Sequence, residues 1–175
     1  MINKSKNSLW HMFANTTEKF GHRPLFHMKS SSSGNSFNSF NSFNSLTYNN
    51  IYKTSLVFRD FLLKSGIKKG DNIAVIGKGT PNWVSLLYAT NSVGGVLVPT
   101  FEEQQDHITS HIFSQTQPKI IFNSTKKSMT KLFQSVSTVE YNHETMIFDK
   151  QFCTINTEPD IDQNNLAVIL YTSGT

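Results

Sequence analysis

Apolar residues recur along this chain with two periods, and the two alternate. Leu9, Trp10, Phe13 and Phe20 fall on one side of a short amphipathic helix that Gly21 and Pro24 bring to an end. Leu25 to Met28 has the length of a short strand. The longest helical pattern runs from Leu46 to Leu63, with Thr47 placed as N-cap and Ile51, Ser55, Phe58 and Leu62 on one face, widened by Leu56 and Phe61. Gly66 stops it, and Lys64 near its end suits the helix dipole. After the turn Lys68-Lys69-Gly70-Asp71, the run Asn72 to Ile76 reads as a strand that enters Gly77-Lys78-Gly79-Thr80. Pro81 fits the first turn of a following helix, where a missing N–H costs nothing. That helix carries Trp83, Val84, Leu87 and Tyr88 and ends near Gly94-Gly95. Val96 to Val98 is a second strand closed by Pro99, Glu102 to Phe113 a helix, and Lys119 to Phe122 a third strand. The pattern adds a helix over 127–136, a strand over 145–149, and a fifth strand from Leu166 to Tyr171 that runs into Thr172-Ser173-Gly174-Thr175.

Short apolar strands alternating with helices predict an α/β fold, a mostly parallel sheet flanked by helices on both faces. Ligands in such sheets bind beyond the C-terminal ends of the strands, and the last four residues occupy that kind of place. Residues 30–45 break the pattern. Four serines lead into a Ser-Phe-Asn repeat whose period of three suits neither helix nor strand, and its polar majority predicts a low-complexity loop insertion.

Composition narrows the class. The 175 residues suffice for one core and not for two full-sized catalytic domains. Cys153 is the sole cysteine, so no disulfide can form within the chain; a reducing, cytoplasmic setting is expected. The net charge of +4 is mild and scattered. Lys126, Lys127 and Lys131, with Lys119 nearby, read either as a solvated helix face or as a contact for an anionic partner, and no nucleic acid is needed to explain them. No apolar run reaches the length of a transmembrane helix, which leaves peripheral association with an organelle membrane undetermined. Three glycosylation acceptor patterns, at Asn3, Asn15 and Asn123, carry no meaning without a secretion route.

Three motifs invite chemistry. Gly77-Lys78-Gly79-Thr80 lacks the glycine five residues upstream, where Asn72 stands, and the hydroxyl residue after the lysine, where Gly79 stands. It therefore fails as a P-loop and reads as a strand-to-helix turn. His107 and His111 share a helical face, with Glu103 a turn earlier, but Ile108 stands where a zinc protease would carry its glutamate; an exposed helix face explains the pair, and no metal site is assigned. Tyr171-Thr172-Ser173-Gly174-Thr175 differs from both: an apolar strand delivers hydroxyls and a glycine to a sheet edge, which suits an anion cradle.

Together these segments resemble the adenylate-forming (AMP-binding) superfamily of acyl-CoA synthetases, luciferases and peptide-synthetase adenylation domains. Asn165 to Thr175 is similar to the start of that family's phosphate-loop motif. Leu46-Thr47-Tyr48, Gly66 to Asp71, Pro81-Asn82-Trp83 and Gly94 to Pro99 follow in the family's order and spacing. The resemblance implies an incomplete N-terminal part of the AMP-binding domain over residues 1–175, most like a long-chain acyl-CoA synthetase. It implies ATP and Mg²⁺ as ligands, CoA in full-length relatives, and Thr172, Ser173, Gly174 and Thr175 as partial phosphate-binding positions. Asn165 stands where relatives often have Asp, a change expected to affect a turn. Arg59 stands where a small residue is common and is expected to point outward. The motif's lysine, the substrate pocket and the C-terminal catalytic lysine have no counterpart in these residues, so the expectation is a truncated chain inactive by itself. The alternatives are a non-catalytic interaction module, including half of a split enzyme paired with a separately encoded remainder, and a small nucleotide-binding protein.

Overall fold

The computed structural model describes residues 7–29, 43–125, 136–141 and 160–172. The helix over 127–136, except for Val136, and the strand over 145–149 lie outside the described residues, as does Cys153.

Helix α1 (Leu9–Phe20) is capped by Ser8, whose hydroxyl accepts from the His11 amide. Strands β1 (Pro24–Lys29) and β2 (Phe43–Thr47) pair antiparallel, so Phe43, Asn44 and Ser45 of the repeat region belong to a strand. Helix α2 (Tyr48–Lys64) starts where Thr47 was expected to cap it. The Thr47 hydroxyl accepts from the Asn50 amide while the Asn50 side chain accepts from the Thr47 amide, a capping box with Asn in place of the usual Glu or Gln. Leu46, expected in the helix, lies in β2 instead, because the cap fixes Thr47 in extended geometry.

Among the described residues, four strands form the main sheet: β3 (Asn72–Ile76), β4 (Val96–Thr100), β5 (Ile120–Asn123) and β6 (Ser137–Glu140). Their order is β4-β3-β5-β6, all parallel. Helix α3 (Pro81–Ser92) joins β3 to β4, and α4 (Asp106–Thr116) joins β4 to β5. The strand alternation sorts the side chains. Ile73, Val75, Leu97, Ile120 and Phe122 turn toward α2 and α3, where Phe58, Leu62, Leu86 and Ala89 meet them. Ala74, Ile76, Val98 and Ile121 turn the other way, under Ile112 and Phe113 of α4. Both faces are covered, which is why these strands read as continuous apolar runs. A third cluster joins α1 to α2 and α3: Phe13 stacks on Tyr88 at 3.7 Å between centroids and Trp10 on Tyr52 at 5.3 Å.

Helix α4 begins four residues later than its apolar spacing suggested. Residues 101–104 form a turn, closed by the Gln104 amide on the Phe101 carbonyl, and Gln105 is the N-cap. Glu103 is therefore not on the helix that carries His107 and His111. Arg59 does not point outward: it is half-buried, with its guanidinium 6.0 Å from the Trp10 ring, and burial lowers its pKa. Helix α1 supplies the aromatic surface that draws it inward. Asn123 of the third acceptor pattern is buried and binds Thr125, out of reach of any modifying enzyme. Among the described residues no helix is long and apolar enough to cross a membrane.

Candidate functional site

Parallel strands bring their C-terminal ends to one rim, and four connections meet there. Gly77 to Thr80 follows β3, Phe101 and Glu102 follow β4, Ser124 and Thr125 follow β5, and Tyr141 follows β6. Backbone bonds knit them together: the Gly77 amide donates to the Thr100 carbonyl at 3.2 Å, and Ser124 donates to the Ile76 carbonyl from its amide at 3.0 Å and from its hydroxyl at 3.2 Å. Gly77 has φ +149°, and a Cβ there would stand 2.0 Å from Ser124 Oγ, so only glycine fits. Tyr141 is buried against Phe122. Burial pushes its phenol above the ordinary tyrosine range, and the nearby Ser124 hydroxyl pulls the other way.

The strand-to-helix turn behaves as the sequence implied. Thr80 caps α3 through its hydroxyl, which accepts from the Trp83 amide, and Pro81 occupies the first turn. Lys78 is exposed and lies 3.6 Å from Glu102, an ion pair that ties the β3 and β4 connections together in solvent and adds little stability. His107 and His111 are both exposed on α4. Among the described residues, no three His, Cys, Asp or Glu side chains gather as a metal site would require.

The segment leading to the candidate phosphate loop is held along its length. The Lys69 ammonium donates to the Asp160 carbonyl at 2.9 Å, and Ile161 is buried among α1 and α2 residues. Asn165 closes a turn by accepting from the Asp162 amide at 2.7 Å. The chain then runs parallel to β4 on its free side. The Leu97 amide donates to the Ala167 carbonyl at 3.0 Å, and the Ile169 amide donates to the Leu97 carbonyl at 2.9 Å. The expected fifth strand is thus a single bridge at Val168 rather than a ladder from Leu166 to Tyr171. Pro99 explains the difference. Residues 97 and 99 of β4 face this segment, and proline has no N–H with which to continue the pairing. Alternation persists all the same: Val168 packs toward α2 and α3, Ile169 and Tyr171 toward α4. Thr172 follows, exposed; Ser173, Gly174 and Thr175 lie outside the described residues.

Among the described residues, two surface cavities lie elsewhere. One of about 360 Å³ is lined by Thr17, Glu18, His22, Asn49 and Tyr52, and one of about 440 Å³ by Gly66, Lys68, Asp71, Lys119 and Ser137. Neither touches the rim. Of the four positions the sequence suggested for phosphate, Thr172 alone is described, exposed where this segment leaves the sheet, and the Gly77–Thr80 turn stands between β3 and α3 as expected. Glu102, Ser124 and Tyr141 join it at the rim only because the sheet brings distant connections together, which leaves no local signal in the sequence.

The sequence matches the AMP-binding enzyme family over residues 15–175. Long chain acyl-CoA synthetase 4 of Arabidopsis thaliana is 22% identical over 129 residues, covering 74% of this chain and 19% of that protein. The putative acyl-CoA ligase YdaB of Bacillus subtilis (strain 168) is 23% identical over 142 residues, covering 74% of this chain and 28% of that protein. The chain therefore spans less than a third of either relative. Among solved structures, the N-terminal subdomain of Klebsiella oxytoca NpsA superposes with a TM-score of 0.72 at 16% identity, over 97% of this chain and 40% of that one. VinN gives 0.71 at 16% identity, over 97% and 41%. These likenesses establish the fold: part of the N-terminal subdomain fold seen in NpsA.

Proposed function

Because the chain belongs to the AMP-binding enzyme family, we propose that it supplies the N-terminal part of an ATP-dependent acyl-CoA synthetase. Such an enzyme converts fatty acid, ATP and CoA to acyl-CoA, AMP and pyrophosphate. One observation carries the reading: the segment ending at Thr172 meets β4 in a parallel bridge at Val168 and leads Thr172 into solvent at the start of the motif. The two acyl-CoA relatives favour this subclass over other adenylating enzymes.

The donor chemistry fits a nucleotide polyphosphate. Thr172, Ser173 and Thr175 bring hydroxyls, and Gly174 lets the backbone approach closely; all four can donate to phosphate oxygens. None is a carboxylate, so Mg²⁺ would be held by the phosphates and by groups beyond these four. Bound ATP supplies the α-phosphorus that a carboxylate attacks, with pyrophosphate leaving. The part played by this chain is to orient the phosphates and to stabilise developing charge. CoA would act as acceptor in the second half-reaction.

The 175 residues are expected not to catalyse the reaction by themselves, since the acyl pocket and the catalytic lysine of relatives have no counterpart among them. Purified chain would be incubated with palmitate, ATP, Mg²⁺ and CoA, and separately titrated with MgATP while Trp fluorescence is followed. Saturable binding without turnover supports the reading; robust acyl-CoA formation, or no binding at all, overturns it. A second reading, an interaction module that pairs with a separately encoded remainder, is favoured by the exposure of Leu166 and Leu170, at 59% and 71%, on the free sheet edge. Stoichiometric co-purification of a partner would support it, and a stable monomer would count against it. The proposed setting is the cytoplasm.

A further inference from the structure

We infer that the Tyr171 phenol and the Gln115 side chain form a latch that sets the direction in which the phosphate-loop segment leaves the sheet, which makes both positioning residues for nucleotide binding. The inference rests on the proposed phosphate-loop reading for its consequence, but not for the latch itself. Backbone pairing to β4 reaches Ile169, and Pro99 cannot donate the next bond. Beyond that point the hold shown among the described residues comes from the Tyr171 side chain. Tyr171 packs toward Ile112 and Phe113, and its hydroxyl donates to Gln115 Oε1 at 3.0 Å, joining positions 56 apart in the chain.

The acceptor sits on a fixed platform. Gln115 lies in the last turn of α4, whose end is pinned by the Asn72 side-chain amide on the Thr116 carbonyl, by the Thr116 hydroxyl on the Ile112 carbonyl at 2.8 Å, and by the Gln117 amide on the Phe113 carbonyl at 2.8 Å. Asn72 itself begins the central strand β3. The latch thus references the exit of the segment to the middle of the sheet. A hydroxyl-to-amide bond is directional, so it fixes the azimuth of the tyrosine as well as its distance.

The test uses Tyr171→Phe, Gln115→Ala and Gln115→Glu in the full 175-residue chain. Phenylalanine keeps the packing and loses the donor; glutamate keeps an acceptor oxygen. Exchange of the Ile169 amide, read by NMR, should quicken about fivefold in Tyr171→Phe and Gln115→Ala and return to the parent rate in Gln115→Glu, while the melting temperature moves by no more than about 2 °C. Unchanged exchange in the first two variants, or equal acceleration in all three, overturns the latch. Calorimetry with MgATP forms the second arm. Weakening of a few-fold in the first two variants, with rescue by Gln115→Glu, supports the positioning role; equal affinity in all variants overturns it. If the parent chain gives no heat while the exchange differences remain, the latch stands and the nucleotide reading falls.

Discussion

Replacing Gly77 with alanine tests the rim directly. The residue has φ +149°, which side chains with a Cβ rarely adopt, and holding alanine there costs about 1–3 kcal/mol. The new Cβ would lie 2.0 Å from Ser124 Oγ and 3.3 Å from Ser124 Cβ. The hydroxyl must move, and moving it breaks its bond to the Ile76 carbonyl, a further loss of about 1 kcal/mol. The total is about 2–4 kcal/mol, which lowers the melting temperature by about 5–15 °C in a chain of this size. Urea denaturation followed by circular dichroism measures the loss. Ser124→Ala alone should cost about 1 kcal/mol, and the double variant should be less destabilised than the sum of the two by about 1 kcal/mol, because the second substitution removes the atom the first one strikes. A Gly77→Ala protein within about 0.5 kcal/mol of the parent, or strict additivity, would refute the reasoning.

Trp10→Ala should cost about 3–5 kcal/mol and loosen α1, since Trp10 is buried and stacks on Tyr52; faster proteolytic cleavage within residues 9–20 reports it, and an unchanged cleavage rate contradicts it. Thr80→Ala should lower stability by about 1 kcal/mol through loss of the α3 cap, and Thr80→Ser should restore it in urea melts. Burial raises the pKa of Tyr52, Tyr88 and Tyr141 above the ordinary value of 10.0. The folded chain therefore holds these protons where the unfolded chain has released them. Stability should be full below about pH 10 and fall as pH rises through the folded values. The urea midpoint measured across that range should drop, and Tyr141→Phe should flatten the drop; a pH-independent midpoint would contradict the burial assignment.

Much of the sheet was legible because its signals are local. Pro81 in a first turn, Thr47 before a helix, and unbroken apolar runs at β3 and β5 each mark an element within a few residues. What escaped depends on distant partners. Pro99 looked like the end of a strand, yet β4 runs to Thr100; the missing N–H acts instead on the neighbouring segment and reduces an expected strand to a bridge. Arg59 looked like a solvent residue until α1 placed Trp10 beside it. At the candidate site, Thr172 stands out only through its motif, and its proposed role awaits the binding test. Tyr141 beside Ser124, and the latch between Tyr171 and Gln115, join residues that no window along the chain contains.

The stretch from Asp160 to Ile169 is anchored at both ends, by Lys69 and Ile161 at one and by Leu97 at the other. Its length is thereby a specified quantity. Deleting or adding one residue between the anchors would rotate everything downstream by half a pleat, turning Leu170 into the α4 face and Tyr171 out of it. Relatives that vary this connection should change it at the turn around Asn165, by amounts that restore the original phase.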